Sequence, residues 1–253
     1  MIQRFSAASR YSVKNDWLES NLSFSFGEYY DEENIQFGPL RVFNDDTVQA
    51  GKGFGIHPHR EAEIVSIVLH GQLKHEDSLG NSGVLQFGNV QRMTAGTGLL
   101  HSEMNPSLEE EASFLQLWFK PSKKQLPPSY EDIFYNVDSM RNKLLPIVSS
   151  TPTNGAAKIH SDVTLYLSKL DAGEGIYYQQ KQGRKMYVFV IDGELVLDND
   201  VIVGKRDSAR IIENNELTLK ATKETFFLLI DLGGVCYVVD SSCDWKQTIL
   251  SNR

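Results

Sequence analysis

Three histidines and one glutamate in the first half of the chain are spaced as metal ligands would be on β-strands. His57 and His59 are two positions apart, and so are His101 and Glu103. Residues i and i+2 of a strand point to the same face, about 6.5 to 7 Å apart, so each pair projects together. If the two strands are neighbours in one barrel, three imidazoles and one carboxylate converge on a single interior point. This donor set suits iron, copper, nickel, cobalt, manganese or zinc better than calcium or magnesium, which prefer oxygen ligands.

The elements that must hold these residues are short β-strands. Apolar runs rich in Val, Ile, Leu and Phe recur about every ten residues, at 64–69, 84–87 and 114–119. Turn residues separate them, as in Ser78-Leu79-Gly80-Asn81 and at 94–98. This spacing predicts an antiparallel β-sandwich or barrel.

The strand pattern occurs twice along the chain. It resumes at 163–167, 186–191, 194–197 and 226–232. Both halves place a glycine turn after an apolar strand, in His70-Gly71-Gln72-Leu73 and in Asp192-Gly193-Glu194-Leu195. A stretch with several prolines lies between them. We therefore predict a metal-binding domain at 1–120, a linker at 121–153 and a second β-domain at 154–253.

The residues around the histidines resemble the two motifs of the cupin superfamily. Gly51, His57, His59, Glu63 and Gly71 follow the first motif, with one extra residue before the final glycine. The segment 88–105 follows the second, with Thr in the place of the usual Pro before its internal glycine. A lone His-x-His is more often a pair of surface or hydrogen-bonded residues. Two motifs in order favour a metal site instead.

The resemblance is closer to the pirin family, particularly to its bacterial members. The runs that carry it are 37–42, 44–46, 53–60, 63–65, 76–81, 93–98 and 101–104. It implies an all-β bicupin of two tandem jelly-roll type barrels, with one metal held by His57, His59, His101 and Glu103 in the N-terminal barrel. It also implies that Glu63, the usual cupin carboxylate ligand, is not a ligand here. The stretch 177–180 reads Tyr-Tyr-Gln-Gln where a histidine pair would stand, so we expect a C-terminal barrel without metal.

The resemblance also gives two hypotheses of function. Bacterial pirins include proteins with quercetin 2,3-dioxygenase activity, which implies a dioxygenase that opens the central ring of a flavonol with O₂ and releases carbon monoxide. Fe(II) is then the first candidate metal, ahead of Zn, Cu, Ni, Co and Mn, and Glu103 is the candidate catalytic base. The alternative is a metal- or redox-sensing regulator that acts through a protein partner, as the nuclear pirins of animals do.

The sequence leaves open the roles of several residues near these ligands. Glu103 either accepts a proton or only neutralises charge. His70 and His75 flank a turn, and each either orients groups around the metal or is solvated at a strand end. His160 is predicted to be a surface residue near the start of the second barrel.

Charge and hydropathy reduce the number of partner classes that the sequence allows. The net charge is −8 and the basic residues are scattered, which argues against direct nucleic-acid binding. No stretch reaches the roughly 20 apolar residues of a membrane span, and the N-terminus lacks a signal-peptide pattern, so we expect a cytoplasmic protein with no membrane contact. Cys236 and Cys243 match neither a CxxC pair nor a disulfide framework, and we predict ordinary thiols.

Overall fold

The computed structural model describes residues 1–151 and 153–233, and almost all of its regular structure is β-strand. Two short 3₁₀ helices, Ala7–Ser9 and Val137–Met140, are the only helices of these residues. Neither is long or apolar enough to cross a bilayer. Cys236 and Cys243 lie outside the described residues.

The strands of the described residues fall into two groups in chain order. The first twelve are β1 Ile2–Phe5, β2 Tyr11–Lys14, β3 Leu18–Leu22, β4 Leu40–Val48, β5 Gly53–His59, β6 Glu63–His70, β7 Gln72–Asp77, β8 Ser82–Gln86, β9 Asn89–Thr94, β10 Leu99–Met104, β11 Ala112–Phe119 and β12 Ser129–Phe134. The others are β13 Leu145–Ser149, β14 Ala157–Lys158, β15 Val163–Leu170, β16 Gly175–Gln179, β17 Lys185–Asp192, β18 Glu194–Leu197, β19 Val201–Gly204, β20 Ser208–Ile211, β21 Glu216–Ala221 and β22 Thr225–Leu232.

The N-terminal barrel consists of residues 11–134 and 159–161. Its larger sheet has the order β12-β9-β6-β11-β4-β3-β2, and its smaller sheet the order β5-β10-β7-β8. Alternate residues of each strand point inward, so β10 buries Leu99, His101 and Glu103 while Leu100 is exposed. The interior is therefore partly apolar and partly polar, and the polar part contains His101 and Glu103.

The C-terminal barrel consists of residues 1–10, 135–158 and 162–233. Its sheets have the orders β1-β20-β17-β22-β15-β13-β14 and β16-β21-β18-β19, which repeat the strand pattern of the first barrel. Leu217 and Leu219 of β21 and Leu197 of β18 are fully buried in one apolar cluster. The prediction of an all-β chain with two tandem barrels is confirmed.

Three features of the two barrels do not follow the predicted segments. β1 pairs with β20, so the first residues of the chain belong to the C-terminal barrel. The stretch predicted as a linker contains β12 and β13, each hydrogen-bonded to a neighbouring strand. Residues 159–161 group with the N-terminal barrel. The segment limits 1–120, 121–153 and 154–253 stay a prediction.

Candidate metal centre

The three histidines are brought together by neighbouring strands of the smaller sheet. β5 pairs antiparallel with β10, and this register sets His57 opposite His101 and His59 opposite Leu99. The ring centroids lie 4.4 Å apart for His57 and His101, 4.6 Å for His59 and His101 and 4.8 Å for His57 and His59. One ligand nitrogen from each residue lies within 4.8 Å of the other two. We call His57, His59 and His101 the imidazole triad.

Hydrogen bonds indicate which nitrogens of the triad face its centre. His57 Nδ1 lies 2.7 Å from the carbonyl oxygen of Gly55, to which it donates, so its lone pair is on Nε2. That Nε2 is 3.0 Å from His101 Nε2. His59 Nε2 is buried and has no hydrogen-bond partner among the described residues. Buried polar atoms are seldom left unpaired, so three nitrogens pointing at one another fit a shared cation.

Burial and electrostatics keep the rings of His59 and His101 neutral. Burial, with a smaller contribution from the imidazoles of His57 and His75, lowers the pKa of His101 to about 2. Burial and the neighbouring imidazoles also hold the pKa of His59 well below 6.5. A neutral imidazole keeps the lone pair that binds a metal, whereas an imidazolium does not. His59 and His101 can therefore bind a cation at neutral pH without first losing a proton.

Glu103 lies beside the triad and is 1% exposed. Gln116 Nε2 donates to Glu103 Oε2 at 2.6 Å, and Ser66 Oγ donates to Oε1 at 3.1 Å. A carboxylate oxygen of Glu103 lies within 4.8 Å of ring nitrogens of both His75 and His101. The four predicted ligands thus fall in two groups that share His101, and the group with Glu103 also contains His75. The four-ligand set stays a prediction.

A bulge in β5 explains why Glu103 is offset from the triad, since the stretch from Phe54 to His57 has one residue more than the facing stretch from His101 to Glu103 of β10. The pairing with β5 shifts between His101 and Glu103, so Glu103 stands opposite Phe54. The backbones approach closely here: a Cβ on Gly53 would lie 2.3 Å from the carbonyl oxygen of Glu103. Only glycine fits at that position.

Glu63 faces a different set of groups. It is fully buried, and Oε2 accepts from the backbone N–H and the hydroxyl of Ser161, both at 2.6 Å. Oε1 accepts from Thr94 Oγ1 at 3.0 Å and from His160 N at 2.9 Å, and His160 Nδ1 is 3.0 Å away. His160 is thus a half-buried partner of Glu63 in the N-terminal barrel, which corrects the prediction of a surface residue near the second barrel.

Several polar groups around the triad were not identified from the sequence. Gln116 stands among apolar residues in β11 and Ser66 among apolar residues in β6, and both point inward. The sequence signal that could have identified them is a polar residue at an inward-facing position of an otherwise apolar strand. Trp118 packs edge-on against His59 at 4.7 Å, and its Nε1 donates to Gln116 Oε1 at 3.4 Å.

The triad is open to solvent at His57, which is half-buried, while His59 and His101 are 5% and 1% exposed. A cavity of about 460 Å³ lies elsewhere, away from all three rings, and is lined by Gly71, Gln72, Gln86, Phe87, Ser107 and Glu110. A small molecule would therefore approach the triad from the His57 side.

The known proteins that this chain resembles share its architecture. Residues 5–119 match the family model described as Pirin, and residues 146–232 match the one described as quercetinase C-terminal cupin domain. A protein of Escherichia coli (strain K12) named quercetin 2,3-dioxygenase is 36% identical over 232 residues, which are 92% of this chain and 99% of that protein.

Solved structures agree with these matches. The crystal structure of bacterial pirin YhhW from Escherichia coli in complex with nickel(II) has a TM-score of 0.88 at 34% identity, covering 93% of this chain and all of that one. Quercetin 2,3-dioxygenase from Acinetobacter baumannii, with a TM-score of 0.75 at 23% identity, covers 94% of this chain and 88% of that one and shares the fold. This chain belongs to the pirin family, with two cupin barrels and a histidine and glutamate cluster that could hold a metal.

Proposed function

We propose that this protein is a metal-dependent dioxygenase that cleaves the central ring of a flavonol such as quercetin. In this reaction both atoms of O₂ enter the ester product, and the ring carbon that bore the 3-hydroxyl leaves as carbon monoxide. The observation that carries the proposal is the imidazole triad, open on one side, next to a buried carboxylate. The name of the Escherichia coli relative supports the choice of substrate.

His57, His59 and His101 would hold the metal through Nε2, and Glu103 is the proposed fourth ligand. Fe(II) is the proposed metal, and when bound it would supply the path for electrons between flavonol and O₂. Zn²⁺ fits the same donors but has no redox chemistry. Zinc loading therefore gives a control in which binding is kept and turnover is lost.

Glu103 is the proposed general base for the 3-hydroxyl of the flavonol. The donors on Ser66 and Gln116 each occupy one lone pair of a carboxylate oxygen, and each oxygen has a second one. A proton can therefore reach Glu103 without breaking either hydrogen bond. General-base catalysis is typically worth about 10²- to 10⁴-fold in rate.

The test is anaerobic loading with Fe(II), followed by oxygen uptake with and without quercetin while the flavonol absorbance is recorded. We expect uptake matched to loss of absorbance in the iron-loaded protein and none in the zinc-loaded protein. His70 is exposed at the end of β6, so His70→Ala is a matched histidine control that should keep full activity. No uptake in a sample with verified iron content would reject the dioxygenase and favour the regulator hypothesis.

A further inference from the structure

His75 is buried next to the imidazole triad and contacts one of its rings. It lies in β7 opposite Glu103, and its side chain is 0% exposed. His75 Nδ1 is 3.3 Å from His101 Nδ1 and 3.2 Å from Gln91 Nε2. On the other side of the ring, His75 Nε2 is 3.6 Å from Asp77 Oδ2. Tyr130 stacks on its face at 4.8 Å.

The donors around His75 determine where its proton lies. The Gln91 amide nitrogen can only donate, so His75 Nδ1 is an acceptor and the ring proton is on Nε2, 3.6 Å from the Asp77 carboxylate. The one lone pair of His75 Nδ1 is shared between its two neighbours, Gln91 Nε2 and His101 Nδ1. Of the two facing Nδ1 atoms, His101 must then be the one that donates. A neutral His101 with its proton on Nδ1 has its lone pair on Nε2, the atom that faces His57.

The surroundings of His75 admit another interpretation. His75, His101 and Glu103 could hold a second metal, since their ligand atoms also lie within 4.8 Å of one another. All three are at most 1% exposed, so a cation has no open side. A cation there would also have to replace the proton between the two rings. A proton between His75 and His101 accounts for the contacts without these costs.

A comparison with the C-terminal barrel shows that this cluster is not needed for the fold. His75 stands four residues after Gly71, and Leu197 stands four residues after Gly193 in the same turn of the second barrel. Leu197 is fully buried in the apolar core. The strand position therefore accepts a leucine, and the histidine has another purpose.

We propose that His75 is a positioning residue that fixes the ring tautomer of His101 and so directs its Nε2 lone pair to the metal. The inference deepens the proposed function and rests on the metal site assumed there. Hydrogen-bond partners of metal-bound histidines typically contribute about 10- to 100-fold to metal affinity. The contact between His75 Nδ1 and His101 Nδ1 would supply this effect through an imidazole.

The proposal can be tested by measuring the ring tautomer of His101 directly. In ¹⁵N-labelled protein, long-range ¹H–¹⁵N correlation spectra distinguish protonated from unprotonated ring nitrogens, first without metal and then with Zn²⁺. We expect His101 to carry its proton on Nδ1 in both states. A proton on Nε2 in the metal-free protein would overturn the proposal. Because no turnover is measured, a failure of dioxygenase activity leaves this result unaffected.

Two variants separate tautomer control from packing. His75→Leu removes the acceptor, so the Kd for Zn²⁺ should rise about 10- to 100-fold and the Nδ1–H form of His101 should lose its dominance. His75→Asn places an amide oxygen where Nδ1 stands, and should restore both tautomer and affinity. His70→Asn is the control at an exposed histidine.

Two results with these variants would reject the proposal. One is an unchanged Kd and tautomer in His75→Leu. The other is binding of two Zn²⁺ per chain, with one lost in His75→Leu, which would assign a second metal site. If His75→Leu fails to fold, the wild-type spectrum and the Asn variant still decide.

Discussion

Glu63 binds protein groups, and its replacement by Gln should cost stability and leave metal content unchanged. Its two oxygens accept from the N–H groups of residues 160 and 161, from the Ser161 hydroxyl and from Thr94. A glutamine has one oxygen and one NH₂ group. If the NH₂ takes the place of Oε2, the N–H of residue 161 loses its acceptor. If it takes the place of Oε1, the N–H of residue 160 keeps only its 3.2 Å bond to the other oxygen, while the hydroxyls can rotate.

The expected loss of stability follows from this difference between a carboxylate and an amide. A lost or lengthened hydrogen bond to a backbone donor, together with the weaker hydrogen bonds of an uncharged side chain, should lower the free energy of unfolding by about 1–3 kcal/mol in Glu63→Gln. The assay is urea unfolding of the metal-free protein followed by tryptophan fluorescence, to which Trp17 and Trp118 of the N-terminal barrel contribute. Glu19→Gln is the control, since the Lys14 to Glu19 pair is exposed and such pairs are worth about 0–1 kcal/mol.

Measurement of the bound metal decides whether Glu63 stabilises the barrel or is a metal ligand. Glu63→Gln should bind one equivalent of metal, as the wild type should. Loss of metal from a variant with unchanged unfolding would show that Glu63 is a metal ligand and would refute its role as a purely structural acceptor.

Three further predictions concern the triad and Glu103. His101→Ala should abolish tight metal binding, because it removes the one residue shared by both ligand groups, and elemental analysis measures the loss. Glu103→Gln should keep the metal and lose turnover; equal activity of this variant in the oxygen assay would remove Glu103 as the base. The stability of the metal-free protein should fall as pH decreases from 7 to 5, because His101 stays neutral when folded but takes up a proton below about pH 6.5 when unfolded. That difference amounts to about 2 kcal/mol for His101 and should show as a lower urea midpoint, and a flat profile over this range would contradict the buried, neutral ring.

Strand periodicity predicted the imidazole triad because the side-chain period of a strand is fixed. Residues two apart must share a face, so His57 and His59 had to project together, and so did His101 and its neighbour at 103. That the two strands are neighbours in one sheet was an assumption, and the register of β5 with β10 bears it out. Strand order depends on contacts between segments far apart in sequence, which a local pattern does not contain.

The offset of Glu103 could not be predicted in the same way. A bulge inserts one residue into a regular pairing, here in β5 between Phe54 and His57, and nothing in β10 itself marks where the shift occurs. The partners of Glu63 were equally hidden, since His160 and Ser161 lie almost 100 positions further along the chain. The partner residues of a buried polar group depend on tertiary structure, and only the need for partners can be read from sequence.

A comparison of the two barrels shows which buried positions of the first barrel are specific to the candidate metal centre. Pairing registers and the matching glycine turns relate six polar positions of the first barrel to six apolar ones of the second. In the first barrel these positions are Ser66, His75, Gln91, His101, Glu103 and Gln116. In the second they are Val188, Leu197, Ala209, Leu217, Leu219 and Leu229, all buried in one cluster.

All six polar residues have apolar counterparts in the second barrel, which indicates that they function together. A buried polar group is costly unless it is paired, so a ligand pair such as His101 and Glu103 requires the residues that hydrogen-bond to it. Where the ligands are leucines, Gln116 and Gln91 would have no partner, and apolar residues stand in their place. Placing His101 and Glu103 alone at 217 and 219 should therefore destabilise the second barrel without producing a metal site, because their rings and oxygens would face leucine and valine side chains.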